Sequence, residues 1–488
     1  MNSISSEEEL KKLPRPSRKG AKRPPKIMHF GPGAFFRSFV ASLIDKVNQN
    51  DIEKWGIVAV SLNSESTFHK LEGQDFVFNA LSISSESKQI QQVSSVSDFF
   101  VAKKDRQSVL DALSDEKIEI VSLTITEKGY NYNPNKKELD IGSQNIIDDL
   151  ENPKTAVGFL VAGLKARYIK GITPFTVLSC DNLPNNGAIT KKVVLDFAQK
   201  IDSNFAEWIR NEVRFPSSMV DRITPATRGQ DIVNFANGYG VYDPALVVHE
   251  EFFQWVIEDE FSSERPKFEI AGIQMVRNVE LHEKMKLRCL NGTHSALAYL
   301  GYLAGFYTIV ECVSHDSVVK YIQYLWEQEI TPTLEEPEGE NLNEYCSKLL
   351  ERYQNPAIEH KTWQIAMDGS QKLPQRILET VSDLLKHQKN FQGLALAIAG
   401  WIKYVTGIDL NGKSIDVRDP MADEFAMIAK KSKKSEHYVD YILDQSNVFP
   451  VNLRNSSAFR TEIQKSYKFL EQYGSLGSIK KMMRDLEK

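Results

Sequence analysis

The sequence predicts an α/β protein in two parts, a parallel-sheet domain followed by a mostly α-helical one. Three observations carry that expectation. Between Lys26 and Leu62 a strand candidate, a glycine-bearing turn, an amphipathic helix and a second strand follow one another, the pattern of a βαβ unit. After about residue 280 the apolar residues recur at helical rather than strand spacing. The 488 residues are enough for two domains with separate cores.

Taken in order, residues 1–26 mix Glu7, Glu8 and Glu9 with Lys11, Lys12, Arg15, Arg18, Lys19, Lys22, Arg23 and Lys26, with Pro14, Pro16, Pro24 and Pro25 among them. Such a segment offers little to bury and reads as a disordered basic tail; an address signal or a weak phosphate-binding arm is the functional alternative. Lys26–Phe30 is the first strand candidate. After it, Phe39, Val40, Leu43, Ile44 and Val47 mark one helix face, and Trp55–Leu62 is a continuously apolar strand. Further strands are expected within Ile118–Thr126 and Phe175–Cys180, ending in Thr126-Glu127-Lys128-Gly129 and Asp181-Asn182-Leu183-Pro184. Polar residues just past a strand's carboxyl end lie where open α/β sheets bind ligands. Helices are expected over 285–310, 316–329, 375–388, 393–406, 422–445 and 457–472, with a surface loop at 331–340. The domain reading is therefore 27–280 for the sheet domain and 281–488 for the helical one.

Composition narrows the function classes. Hydrophobic residues at 41% and charged residues at 26% suit a soluble globular protein. A net charge of -5 argues against a nucleic-acid binder, which needs a concentrated basic surface. Cys180, Cys289, Cys312 and Cys346 form no C-x-x-C pair, so neither a disulfide framework nor a structural zinc site is expected, and no metal site at all. No secretory signal and no membrane-length apolar run is visible, so a cytoplasmic enzyme without membrane partners is expected. The oligomeric state is left open.

Gly31-Pro32-Gly33 permits a tight turn and close backbone approach to a pyrophosphate, with the next helix supplying amide N–H groups. Phe36 replaces the third glycine of the usual G-x-G-x-x-G pattern, and an ordinary strand-to-helix turn is the alternative reading. The second strand ends in Leu62-Asn63-Ser64, with Glu65 slightly beyond. Asn63 can hydrogen-bond a ribose but cannot repel a 2′-phosphate, and no arginine stands there to attract one, so NAD is expected with NADP not excluded.

The most informative segment is Lys286-Leu287-Arg288-Cys289-Leu290-Asn291-Gly292-Thr293-His294. On an α-helix, Asn291 lies about 140° and His294 about 80° around from Lys286, so all three can face one cleft if the helix tolerates Asn291-Gly292. Reducing a carbonyl needs a proton donor at its oxygen, which a desolvated lysine can be, and amide donors can stabilise the alkoxide. Asn291 and Asn182 are such donors. The plainer reading makes Lys286 and Arg288 solvated helix charges and Asn291 and His294 caps or satisfied core polars.

Five segments together resemble the polyol-specific long-chain dehydrogenases, the mannitol dehydrogenase family: Gly31–Arg37, Thr124–Tyr130, Leu178–Leu183, Met219–Pro225 and Lys286–Tyr299. The resemblance spans about residues 27–470. It implies a Rossmann-type domain with an extended sheet, a helical second domain, and an active site between them. It implies Lys286 as general acid/base, Asn182 and Asn291 as the oxyanion pocket, His294 on substrate oxygen, and Glu283 in proton movement between the lysine and solvent. A helix-face ion pair with Lys286 or Lys284 is the plainer reading of Glu283. Asp221 would border the substrate site or, alternatively, cap a loop. The NAD site would be built on Gly31, Gly33, Ala34, Phe35, Arg37, Asn63, Glu127 and Lys128. Zinc plays no part in this reading.

Within that family, Thr362–Arg376, Leu394–Gly407 and Asp419-Pro420 are similar to the fructuronate reductase (D-mannonate oxidoreductase) branch. A uronate carboxylate calls for cations, and His360, Lys361, Lys372 and Arg376 are available, with at least two of the four expected to be surface charges. Lys372 and Arg376 are the substrate-binding candidates. The resulting expectation is NAD-linked interconversion of a keto sugar acid and an aldonate, D-fructuronate and D-mannonate. The alternatives are a mannitol 2-dehydrogenase acting on a neutral polyol, a tagaturonate/altronate oxidoreductase, and a catalytically silent sugar or nucleotide sensor.

Overall fold

The computed structural model describes residues 7–84, 86–133, 136–357, 359–432 and 435–486. The chain divides into two compact units, Met1–Glu280 and Leu281–Lys488.

The first unit is built on a five-stranded parallel sheet. Its strands are β1 (Pro25–Phe30), β2 (Gly56–Ser61), β3 (Val96–Val101), β4 (Ile120–Leu123) and β5 (Thr176–Ser179), in the spatial order β3-β2-β1-β4-β5. That order, with β1 central, is the doubly wound arrangement of dinucleotide-binding sheets. Register is plain: Ile27 pairs with Ile57 on one side and Ile120 on the other. Both faces are covered, so β2, β4 and β5 are buried along their whole length, as continuous apolar strands require. Helix Ala156–Lys170 helps close one face; Thr155 caps its start and Gly171 its end. Two three-stranded sheets and a two-stranded one, Tyr132–Asn133 with Glu138–Leu139, accompany the parallel sheet. One three-stranded sheet joins β6 (Ser218–Asp221), β8 (Gln254–Glu258) and β9 (Gln274–Val276); the other joins β7 (Val247–Glu250) to the strands Phe78–Ile83 and Lys88–Val93.

The expected tail is a difference. Residues 1–6 lie outside the described residues, but from Leu10 on several residues of the segment are packed against the sheet unit. Leu10 is buried. The Arg18 side chain, 6% exposed, donates to the Asp75 carboxylate at 2.7 Å and to the carbonyls of Ser94, Asp75 and Val96. Lys22 pairs with Asp75 at 3.1 Å, and the Pro14 carbonyl accepts from Tyr242 N–H at 3.0 Å. A charged composition misled here because one guanidinium satisfies several backbone acceptors at once while its stem packs as an apolar chain.

The second unit is helical. Its core wraps Thr293–Leu303 and Gln392–Tyr404, whose residues are almost all buried, against Ser457–Leu486, which is kinked at Gly474. Glycine is needed at 369, where a Cβ would lie 2.5 Å from both Trp401 Nε1 and the Tyr299 hydroxyl. The stretch 422–445 forms two helices, Ala422–Lys431 and Ser435–Leu443, with 433–434 outside the described residues. Helix Leu342–Tyr353, in a sequence rich in polar residues, was not among the expected elements. Three of the expected helices contain a π-helical segment, Lys286–Gly292, Leu325–Ile330 and Pro374–Leu378. None of the described helices is long and apolar enough to cross a membrane.

Candidate active site

The carboxyl ends of the parallel strands gather one group of predicted residues. Gly31 and Gly33 follow β1, Asn63 follows β2, Glu127 and Lys128 lie on the turn after β4, and Asn182 follows β5. Asn63, Glu127, Lys128 and Asn182 are all exposed there. Gly31 adopts φ +92°, and a Cβ on it would fall 2.0 Å from the Thr124 carbonyl oxygen, so no other residue fits. A Cβ on Gly33 would meet only the Gly31 carbonyl oxygen, at an ordinary 3.9 Å, just ahead of helix Ala34–Phe36. Gly33 is the exposed residue of the turn, and its side-chain-free backbone at a helix start fits a pyrophosphate.

The turn is held from behind. The Thr124 hydroxyl donates to the Gly31 carbonyl at 2.7 Å. His29 stands between Ser122 and Thr124, each ring nitrogen 2.8 Å from a hydroxyl, and stacks on Phe36 at 4.0 Å. Burial pushes His29 down to about 3, so it is a neutral spacer rather than a charge. Arg37 is placed differently from a phosphate ligand at the surface. It is buried, donates to the Pro32 carbonyl at 3.2 Å, and is pushed down to about 10 by burial against the opposing pull of Asp243. Ala34 is half-buried, and the half-buried Phe35 stacks on Phe39 at 4.8 Å. Glu65 is tied to Lys104 at 2.6 Å and His69 at 3.2 Å.

Asp181, unremarked beyond its place in a motif, fastens β4 to β5. Its carboxylate accepts from Ile125 N–H at 3.0 Å, Thr126 N–H at 2.9 Å and the Tyr130 hydroxyl at 2.7 Å. Asn186 locks the same corner through the carbonyls of Asp181 and Ser218. Asn182 therefore sits on a fixed backbone. Asp221 lies elsewhere, buried at the end of β6.

In the second unit Glu283, Lys286, Arg288 and His294 are all buried. Arg288 is not a solvated charge: it donates to Asp383 at 2.8 Å and to the Thr333 hydroxyl at 2.8 Å. The Lys286–Gly292 segment is a π-helix, so the α-helical angles do not apply to it. Hydrogen bonding from i to i+5 places Asn291 about one turn on from Lys286. Gly292 lets this segment approach the π segment Pro374–Leu378 closely, because a Cβ there would lie 2.7 Å from the carbonyl oxygen of Arg376. Asn291 Oδ1 and His294 Nε2 are buried and make no hydrogen bond among the described residues. Burial first, then the neighbouring His360, Arg352 and Arg376, hold His294 well below its usual range and neutral.

None of the four candidate cations is an open surface charge, against the expectation for at least two. Lys361 lies over the Tyr307 ring at 5.0 Å, Lys372 donates to the Met367 carbonyl at 2.6 Å, and Arg376 donates to the Ser295 hydroxyl at 3.3 Å. His360 is not a cation, since burial pushes it down to about 4. Asp419 secures the Asp368-Gly369-Ser370 turn by accepting from Ser370 N–H at 2.7 Å.

Comparison with known proteins decides the family. Residues 25–270 match the mannitol dehydrogenase Rossmann domain, and residues 278–471 match the mannitol dehydrogenase C-terminal domain. The chain belongs to the mannitol dehydrogenase family. It is an oxidoreductase of that family, 40% identical to the D-mannonate oxidoreductase of Escherichia coli over 94% of this chain and 96% of that protein. It is 37% identical to the mannitol 2-dehydrogenase of Emericella nidulans over 96% of this chain and 95% of that one. Among solved family structures, the Pseudomonas fluorescens mannitol 2-dehydrogenase ternary complex with NAD and D-mannitol superposes with a TM-score of 0.86. That match is 33% identical and covers 98% of this chain and 99% of the other.

Proposed function

We propose that the chain binds NAD at the Gly31–Gly33 turn and interconverts D-fructuronate and D-mannonate, with Lys286 as general acid/base. The observation that carries the chemistry is the π segment: a buried lysine one π turn from an amide whose oxygen is buried without a partner. When bound, NADH supplies the hydride to the carbonyl carbon. Lys286 delivers a proton to the carbonyl oxygen in reduction and takes it back in oxidation. The Asn291 amide donates to that oxygen as charge develops, and Asn182 is assigned the same role. His294, neutral, holds a substrate hydroxyl. Glu283, three residues before Lys286, passes its proton toward solvent, and Asp221 is assigned to substrate binding.

The sugar-acid assignment draws support from the likeness to D-mannonate oxidoreductase and from Lys372 and Arg376, whose cationic groups suit a carboxylate. Mannitol 2-dehydrogenases are nearly as similar, so a neutral polyol is the competing reading. The test is a panel of uronates and ketoses assayed for NADH oxidation, with aldonates and polyols for NAD reduction. The proposal expects D-fructuronate and D-mannonate to head their respective series; D-fructose and D-mannitol at the head would refute it.

A further inference from the structure

We infer that His360 is a second imidazole ligand of the substrate, closing with His294 on one hydroxyl of the sugar chain. The inference rests on the proposed use of a sugar-type substrate.

The two rings meet edge to face, with centroids 4.8 Å apart and planes at 88°. Each has a buried nitrogen without a hydrogen bond among the described residues, Nε2 of His294 and Nδ1 of His360. Buried polar atoms in native proteins are nearly always paired, so two orphans on touching rings point to a missing shared partner. Tyr353, 4.7 Å from His294, is not that partner, because its hydroxyl already serves Thr293 at 2.8 Å and the Leu290 carbonyl at 3.1 Å.

Charge excludes a salt-bridge role for either ring. Burial and the Arg352 guanidinium hold His360 neutral; burial, His360, Arg352 and Arg376 do the same for His294. A neutral imidazole is a donor on one nitrogen and an acceptor on the other. A hydroxyl can accept from one ring and donate to the other, or accept from both, whereas a carboxylate can only accept. The pair thus reads a hydroxyl, while the nearby guanidiniums suit an acid group.

The placement of His360 is fixed by its backbone. Its carbonyl accepts from Ile309 N–H at 2.9 Å, and the next residue, Lys361, bridges to Thr308. A ring held this way needs little ordering when a ligand arrives, which is the condition for it to contribute to binding.

The test compares the wild-type enzyme with His360→Phe, which keeps a ring and removes both nitrogens, and His360→Gln, which keeps a donor and an acceptor. Steady-state kinetics with NADH are taken on D-fructuronate and D-fructose, alongside melting temperatures. We expect His360→Phe to raise KM for the sugar at least ~10-fold, as losing a substrate hydrogen bond does, with KM for NADH unchanged and much of the loss recovered in His360→Gln. Wild-type sugar KM in His360→Phe overturns the inference. So does a His360→Phe that fails to fold beside a His360→Gln that melts lower but keeps wild-type KM. The wild type's own choice between the two sugars tests the sugar-acid reading separately, because the KM ratios are taken on whichever sugar turns over.

Discussion

Lys286 and Asn291 stand at positions i and i+5 of one π-helical segment, Lys286–Gly292, with Lys286 6% exposed. An α-helix would leave the amide about 140° around from the amine; the wider π turn brings it closer to the same face. The segment is locked by Trp326, whose Nε1 donates to the Cys289 carbonyl at 3.0 Å, and by the tight approach of Gly292 to Arg376. We predict that Lys286→Ala lowers kcat at least ~100-fold with NADH affinity nearly unchanged, and that Asn291→Ala costs ~100-fold. Steady-state turnover and fluorescence titration of NADH check both; near-normal turnover in Lys286→Ala moves the acid elsewhere.

The glycine turn gives a second prediction. At Gly31 an alanine meets both a left-handed φ and the Thr124 carbonyl at 2.0 Å. Relief requires β1 and β4 to part at their carboxyl ends, where the cofactor is expected. Gly31→Ala should raise KM for NADH at least ~10-fold and cost roughly 1–3 kcal/mol of stability, as misplaced backbone does. Gly33→Ala, whose Cβ would meet only the Gly31 carbonyl oxygen at an ordinary 3.9 Å, should leave stability near wild type. Equal melting temperatures for all three proteins would show that the turn is not held as described.

Buried Glu329 makes stability fall with rising pH. Its oxygens accept from Gly393 N–H and Leu394 N–H, both at 2.7 Å, at the start of helix Gln392–Tyr404, yet burial raises it to about 7. An acid whose folded value lies above the unfolded one holds a proton in the native state that the unfolded chain has lost. This contribution is therefore fully present below about pH 4.5 and is lost as pH rises through about 7. Denaturation at pH 5.5 and 7.5 should show a loss of order 1–3 kcal/mol in the wild type, and Glu329→Gln, which cannot ionise, should lose less. A wild type as sensitive as Glu329→Gln would assign the pH dependence to other groups.

Cofactor choice follows from the end of β2. Asn63 is exposed, and Glu65 is tied up by Lys104 and His69. With no arginine in the sequence just after β2 to attract a 2′-phosphate, kcat/KM for NADH should exceed that for NADPH. A ratio favouring NADPH would assign the phosphate to Asn63, Ser64 and the nearby Lys104.

The sheet domain was legible because its central strands are buried on both faces and read as unbroken apolar runs such as Ile57–Val60. Lys88–Val93 was not: it is largely exposed and polar, Lys-Gln-Ile-Gln-Gln-Val, and is made a strand by pairing with Phe78–Ile83. Lys286, Asn291 and His294 are visible as residue types, but their phase is not, because the π segment is packed against Arg376, a neighbour 84 residues from Gly292. His29 and Asp181 carry no sequence signal, since each acts through hydroxyls or amides that only the fold brings near. Arg18 looked like tail charge for the same reason: its acceptors at Asp75, Ser94 and Val96 are distant in sequence.

The proposed substrate is a sugar acid, used in preference to the matching ketose. The measurement is kcat/KM with NADH for D-fructuronate and for D-fructose, in the wild type and in Arg376→Ala. A charge-assisted bond from the Arg376 guanidinium to the carboxylate corresponds to about tenfold to a hundredfold in affinity. The account predicts a wild-type preference for D-fructuronate of at least ~10-fold, collapsing toward unity in Arg376→Ala. A wild type that uses D-fructose as well as or better than D-fructuronate would contradict it.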